Sequence, residues 1–478
     1  MAPPWQLRVY HVAAAVISPA IFLHLLRRRM LGLERSITAR LGLAIGKRRG
    51  SGIMKEEAGG TVWIHGASVG ESVSGLAVAR LLSSVDPGLR FVVTSGTTSG
   101  VDILSARISA DQAAHEAVVS VEQAPLDIPW SIRRFIGAWK PRALVCIESD
   151  FWPNMLWECH KEGMPLILVD GRMSPRSAKM WSWQPGRGLI SALLSRFSLV
   201  LCQSPGDARR LGELGAKDAT CVGSAKAASG AIPMDREQVE TLAQCIGSRQ
   251  VWVAASTHPG EEEMLAKAHA GLLSRWHATA GIKNVGGGER GGGAVPAASS
   301  QPPLLVIIPR HPHRAEGIAR TIRSQNTSWK VELLSKSGVG ITGRDATVVI
   351  AGHLGATGPW MALSRVCFVG GSMVEGIGGH NVIEPAMLGC AVVHGEWTDN
   401  ADHMIEAMLQ QHPLSLRRVS DVSSLEQAVA DGLLSGGCCG DHAKAAAERL
   451  ESKTREELAS RVIDSLRHLP RDARQILL

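Results

Sequence analysis

The chain has 478 residues, 45% of them hydrophobic and 20% charged. That balance belongs to a globular protein of two or three domains and excludes a disordered, collagen-like or coiled-coil chain. The formal charge of +7 favours anionic partners without choosing among nucleic acid, phosphorylated metabolites and an acidic membrane surface.

Residues 12–26 read VAAAVISPAIFLHLL, Arg27, Arg28 and Arg29 follow at once, and no acid precedes Glu34. This apolar run is short of the roughly 20 residues that span a bilayer. Residues 1–40 are therefore read as a membrane-surface anchor, an organellar targeting segment, or an amphipathic helix packed on its own domain. The charges follow the apolar run instead of leading it, which argues against a secretory signal.

From residue 61 short apolar strands alternate with helical stretches: TVWIHGA (61–67), RFVVTSG (90–96), PRALVCIE (141–148), PLILVDG (165–171) and FSLVLCQS (197–204). The pattern restarts in QVWVAAST (250–257), LLVIIPR (304–310), KVELLS (330–335), TVVIAG (347–352), CFVGGS (367–372) and CAVVHG (390–395). Near-continuous apolar runs are what buried parallel strands look like. The expected fold is α/β: two Rossmann-like doubly wound domains, 41–225 and 226–478, facing a central cleft. Residues 281–303, with seven Gly and three Pro, read as a flexible insertion. The scattered cysteines, without a CxxC pair, read as reduced core thiols. The 13 Trp are likewise scattered, unlike the aromatic platforms of single-stranded nucleic-acid binders, so no nucleic-acid partner is expected.

Ligands of open α/β sheets bind beyond the carboxyl ends of the strands, and the chemistry-bearing motifs sit there. In HGASVGES (65–72), Glu71 falls in the first turn of a helix, where the dipole favours its charge; capping competes with proton transfer as its role. In IESDFWPN (147–154), Glu148 and Asp150 follow a strand and suit substrate hydroxyls, with surface solvation and capping as the alternative. In VIIPRHPHR (306–314), Arg310 leaves a strand and suits a phosphate; His311 and His313 have no nearby carboxylate to complete a metal site, so none is expected. In CFVGGSMVEGIGGHNVIEPAMLG (367–389), Gly371 and Ser372 begin a glycine-rich loop whose N–H groups suit a phosphate, and Glu384 suits ribose hydroxyls. In AASTHPGEEE (254–263), Ser256 and His258 follow a strand and offer further donors, or simply cap a helix.

Taken in order, HGASVGE, ESDFWPN, DGRMSPRSAK, CQSPGDARRLGELGA, ASTHPGEEE, PRHPHR and FVGGS…GGHNVIEP resemble the 3-deoxy-D-manno-octulosonic acid (Kdo) transferases of lipid A assembly. The amino-terminal stretch and the pieces FIGAWKP and LLSRFSLV are most similar to the plant members. The resemblance implies an inverting glycosyltransferase of the two-Rossmann GT-B architecture, with no cofactor beyond its donor substrate, CMP-Kdo. It implies a lipid A precursor, lipid IVA, as acceptor and an anionic membrane surface as partner. The implied location is membrane-associated: mitochondrial in a eukaryote, otherwise the cytoplasmic face of a bacterial inner membrane. By position, Glu71 matches the general base. Ser256, His258, Arg310, Gly371, Ser372, Asn381, Glu384 and Lys226 match the donor side; Ser68, Gly70, Glu148 and Arg172 match the acceptor side. The chain departs from the family at Gly352–Thr357, where two acids common in the family are absent. Two other readings use the same residues: a UDP-sugar transferase or epimerase of the same architecture, and an inactive nucleotide-binding scaffold.

Overall fold

The computed structural model describes residues 5–30, 37–41, 61–109, 111–224, 236–283, 301–334, 345–353, 355–434 and 437–467. Lys226, and residues 284–300 of the expected insertion, lie outside the described residues. The chain divides into two compact units, Met1–Ser229 with Ser452–Leu478, and Gly230–Glu451.

The first unit carries β1 (Thr61–Gly66), β2 (Arg90–Ser95), β3 (Val118–Gln123), β4 (Pro141–Ile147), β5 (Leu166–Gly171), β6 (Phe197–Cys202) and β7 (Ala219–Cys221). They form one sheet in the order β3-β2-β1-β4-β5-β6-β7, and every neighbouring pair is parallel. Strand side chains alternate between two faces. Val62 and Ile64 enter one buried cluster with Leu76, Leu82 and Val145, while Trp63 enters the opposite one with Leu144, Met155 and Ile190. Both faces are covered, so the strands read as unbroken apolar runs. The helix Cys438–Arg467 brings Leu458, Val462 and Leu466 into the first of these clusters.

The second unit carries β8 (Val251–Thr257), β9 (Leu304–Pro309), β10 (Val331–Leu334), β11 (Val348–Ala351), β12 (Val366–Val369), β13 (Ala391–His394) and β14 (Leu416–Arg418). Its order is β10-β11-β9-β8-β12-β13-β14, again all parallel. Trp252, Ala254, Ile307 and Phe368 pack there against Leu265, Leu272 and Val429. All nine cysteines are free thiols; burial pushes Cys390 up to about 11 and holds Cys146 and Cys367 higher still, so these are inert core residues.

The amino-terminal helix runs Trp5–Met30, well beyond the apolar run that announces it, and is long and apolar enough to cross a membrane by length and composition. It packs on the helices Gly186–Leu194 and Pro153–Lys161. Leu7 and Leu25 are buried, and the Tyr10 hydroxyl donates to Asp127 at 2.9 Å. Its other side leaves Val9, Val12, Val16 and Leu23 exposed. The helix is thus apolar all round, which one docked face does not require.

Candidate active site

In a doubly wound sheet the ligand crevice opens where consecutive crossovers leave in opposite directions. In the first unit that point lies between neighbouring strands β1 and β4; in the second, between β8 and β12. The sequence motifs fall there: Glu71 follows β1 and Glu148 and Asp150 follow β4; Ser256 lies at the end of β8, His258 just after it, and the glycine-rich loop follows β12.

The β1 turn is tight. A Cβ on Gly66 would meet Ser72 N at 2.5 Å, so only glycine lets the helix Val69–Val85 start against the strand end. Ser68 caps that helix and Glu71 completes a capping box. The Glu71 carboxylate accepts from Ala67 N at 2.8 Å and from the Ser68 hydroxyl at 2.9 Å, and Ser68 Oγ accepts from Glu71 N at 3.2 Å. Glu71 is half-buried. Burial raises its pKa above the ordinary value, the hydrogen bonds from Ala67 and Ser68 oppose the shift, and the charges of Asp150 and Glu148 add to it. Capping and a raised basicity therefore coexist in one side chain. Gly70 lies one residue away on the open side of the same turn.

Two adjacent strands end in left-handed backbone: Glu148 after β4 (φ 62°) and Asp170 in β5 (φ 63°). Such non-glycine conformations cost on the order of 1–3 kcal/mol and cluster where a turn aims functional groups. Ser149 ties the two strand ends together: its hydroxyl donates to the Arg172 carbonyl and accepts from Arg172 N at 3.1 Å. The Arg172 side chain is exposed. Asp150 is raised by burial and then by the Glu148 charge. Glu71, Glu148 and Asp150 thus share one electrostatic neighbourhood.

The second unit uses its acids differently. Glu261, fully buried, accepts from the backbone N–H of His258 (2.9 Å), Gly371 (2.8 Å), Ser372 (3.0 Å) and Met373 (3.0 Å). The first N–H groups of the glycine loop, expected to face a phosphate, are therefore turned onto an internal carboxylate. Ser372 is also engaged internally: its hydroxyl donates to Val369 O at 2.6 Å and accepts from Gly395 N at 2.8 Å. Glu262, beside it, accepts from Thr257 Oγ1 at 2.8 Å and from Arg314 at 2.8 and 3.1 Å. Arg314 is thereby committed, while Arg310, held at its N–H by Thr257 O, is exposed.

The loop closes on itself through Gly379 N to Gly371 O at 2.7 Å. A Cβ on Gly371 (φ 71°) would strike Ile377 Cγ2 at 2.8 Å and crowd the His380 ring. His380 Nε2 lies 2.9 Å from His258 Nε2, with ring centroids 5.1 Å apart and planes within 17°, so the imidazoles meet edge to edge. Burial lowers His380 to about 4, with His258 and Arg310 contributing, and lowers His258 as well. Ser256 holds a left-handed φ of 58°, and Gly370 passes where a Cβ would strike its carbonyl. Asn381 Oδ1 accepts from Ile383 N at 2.9 Å, and Glu384 is exposed in the first turn of the helix Ile383–Met387. Among the described residues no group of three or more His, Cys, Asp or Glu is placed to hold a metal.

Sequence reasoning gave no role to Glu261 or His380, although both stand inside motifs it singled out. Consecutive acids after a strand-end turn were the available signal for the first. The second carried none, because the partner that gives it meaning lies 122 positions away.

Two parallel sheets with motifs at both switch points define a two-domain α/β protein of the GT-B type. A UDP-GlcNAc 2-epimerase of Neisseria meningitidis bound to UDP-GlcNAc shares this fold, with a TM-score of 0.51 and 11% identity over 85% of this chain and 99% of that one; this likeness shows architecture alone. Residues 35–229 match the family described as 3-Deoxy-D-manno-octulosonic-acid transferase. The Arabidopsis thaliana protein named "Probable 3-deoxy-D-manno-octulosonic acid transferase, mitochondrial" is 30% identical over 437 residues, 90% of this chain and 88% of that protein. A Rickettsia bellii 3-deoxy-D-manno-octulosonic acid transferase is 29% identical over 398 residues, 83% of this chain and 84% of that one. The chain belongs to the Kdo transferase family of glycosyltransferases.

Proposed function

We propose that the protein moves Kdo from CMP-Kdo to a hydroxyl of a lipid A precursor such as lipid IVA, at a membrane surface, with inversion at the anomeric carbon. Glu71 is the general base. It takes the acceptor hydroxyl proton as that oxygen bonds to the anomeric carbon, and the bond to the CMP phosphate oxygen breaks. A carboxylate has about four acceptor positions, so the bonds Glu71 accepts from Ala67 N, Ser68 N and the Ser68 hydroxyl leave one for the acceptor. Its raised pKa brings it nearer the pH at which bases work well. Ser68, Gly70, Glu148 and Arg172 line the acceptor side, the last presenting a cation to an anionic lipid.

On the donor side, Arg310 meets the charge that develops on the departing phosphate, with Ser256, His258, Asn381, Glu384 and Lys226 around the nucleotide. Gly371 and Ser372 shape this loop from within. The observation that carries the reading is the placement of Glu71 and Arg310 motifs at strand ends bordering or adjoining the two switch points, in a chain of this family. The exposed face of the helix Trp5–Met30 lies on the bilayer, and the mitochondrion is the compartment, as the name of the Arabidopsis relative suggests.

The test is transfer of labelled Kdo from CMP-Kdo generated in place to a tetraacylated glucosamine disaccharide. Transfer with inverted configuration in the product, and competition by CMP in preference to UDP, is expected. A folded protein that transfers no Kdo, or that UDP inhibits better than CMP, overturns the reading.

A further inference from the structure

The first unit carries a second exposed apolar feature. The helix Pro175–Trp181 and the turn that follows present Met180 at 67% and Trp183 at 72% exposure. Large side chains this open are unusual on a surface bathed by water alone when they sit together. Trp181, between them, is half-buried; it packs against the sheet-side cluster and lies against Gly186, anchoring the turn. Arg172, Arg176, Lys179 and Arg187, which flank the pair in the chain, are all exposed.

The charge pattern is one-sided. Between Asp170 and Asp207 there is no acidic residue, whereas Arg172, Arg176, Lys179, Arg187 and Arg196 are all present. The amino-terminal helix is also free of acids over Trp5–Met30. The two features adjoin: that helix packs on Gly186–Leu194, which in turn packs on Pro175–Trp181, and Gln6 stands against Gly188. The exposed Trp5 is thus carried by the end of the helix nearest the Trp183 turn.

We propose that Met180 and Trp183 form a second bilayer contact, a shelf on the body of the first unit that inserts at the headgroup level of an anionic membrane while Arg176, Lys179 and Arg187 meet lipid phosphates. Tryptophan suits that depth because its ring is apolar with one polar edge, and clustered cations add attraction that salt screens. This inference rests on the membrane placement of the amino-terminal helix and extends it. A helix held by one face pivots; a second contact fixes how the β1 and β4 strand ends of this unit stand over the lipid.

The test uses the full chain with phosphatidylcholine vesicles, with and without phosphatidylglycerol. It compares Met180→Ser with Trp183→Ser as a double variant, Arg176→Ser with Lys179→Ser, and Val12→Ser with Val16→Ser on the helix. The shelf variant is expected to bind mixed vesicles roughly tenfold more weakly with an unchanged unfolding curve. The basic variant is expected to lose most of its preference for phosphatidylglycerol. Brominated lipid should quench less fluorescence in Trp183→Phe than in the parent. Shelf and basic variants that bind like the parent, while the helix variant is released, would overturn the shelf and leave the helix reading standing. A parent that binds neither vesicle would overturn both. A shelf variant that binds vesicles normally but converts a dimer to a monomer would assign the surface to a second copy of this chain.

Discussion

The two switch points use the same residue type in opposite ways. At β1 and β4, Glu71, Glu148 and Asp150 stand partly open, and burial together with neighbouring acids raises the pKa of Glu71 and of Asp150. At β8 and β12, Glu261 and Glu262 are almost wholly buried, and four backbone N–H groups, a hydroxyl and a guanidinium take up their charge. A saturated carboxylate is a structural anion; an under-satisfied one remains available to a proton. Burial, and not position after a strand, separates the two.

Five substitutions press on that difference. Glu261→Ala would leave the N–H groups of Gly371, Ser372 and Met373 buried without a partner, and should destabilise the protein by about 3 kcal/mol or more in denaturant unfolding. A loss below about 1 kcal/mol would show that the loop re-pairs on its own. Next, Arg310→Ala should lower kcat/KM for the CMP donor by roughly tenfold to a hundredfold, the worth of a charged hydrogen bond to phosphate, with little change in unfolding. Arg314→Ala, which frees Glu262, should instead lower stability; the reverse pattern would exchange their roles.

A smaller effect is set by acid. His380 has its pKa lowered to about 4, so its neutral form is the one the fold favours. The contribution of the His258–His380 contact is present above the ordinary imidazole value near 6.5 and is lost as pH falls through about 4. His311 and Arg310 share the surroundings and oppose protonation. Unfolding followed by calorimetry should show stability falling over that window, and His380→Gln should flatten the dependence; an equal slope in the variant would exclude the pair. The smallest effect is Asp150→Asn. Removing a negative neighbour lowers the pKa of Glu71, so the acid limb of the rate profile should move to lower pH. A shift to higher pH would contradict the electrostatic account.

The alternation of apolar strands and helices made both sheets legible, because a parallel strand buried on two faces leaves an unbroken run such as TVWIHG or LLVIIP. The strands that escaped were β3, β7 and β14. β7 and β14 have three residues each, too short for a period, and β3 interleaves Ser120 and Glu122 with its valines. Nothing in the strand pattern announced that Leu458, Val462 and Leu466 pack in the first unit, since an amphipathic helix does not name its partner. The site was legible where a motif is local, as in the Ser68–Glu71 capping box. It was illegible where chemistry depends on pairing across the sheet. The glycine loop looked like a phosphate cradle, yet its first N–H groups serve Glu261, more than a hundred residues earlier in the chain.

The central claim is that Glu71 is both a cap and a base, and that the second role is separable from the first. Single-turnover Kdo transfer and thermal unfolding measured together on the parent and on Glu71→Gln address it most directly. Glutamine keeps a carbonyl oxygen for the turn but cannot take a proton. Transfer should fall by about 10²–10⁴-fold, while unfolding moves by no more than the loss of a cap, about 1 kcal/mol. Transfer that survives in Glu71→Gln, or that falls only in step with the folded fraction, would contradict the claim and leave Glu71 a capping residue.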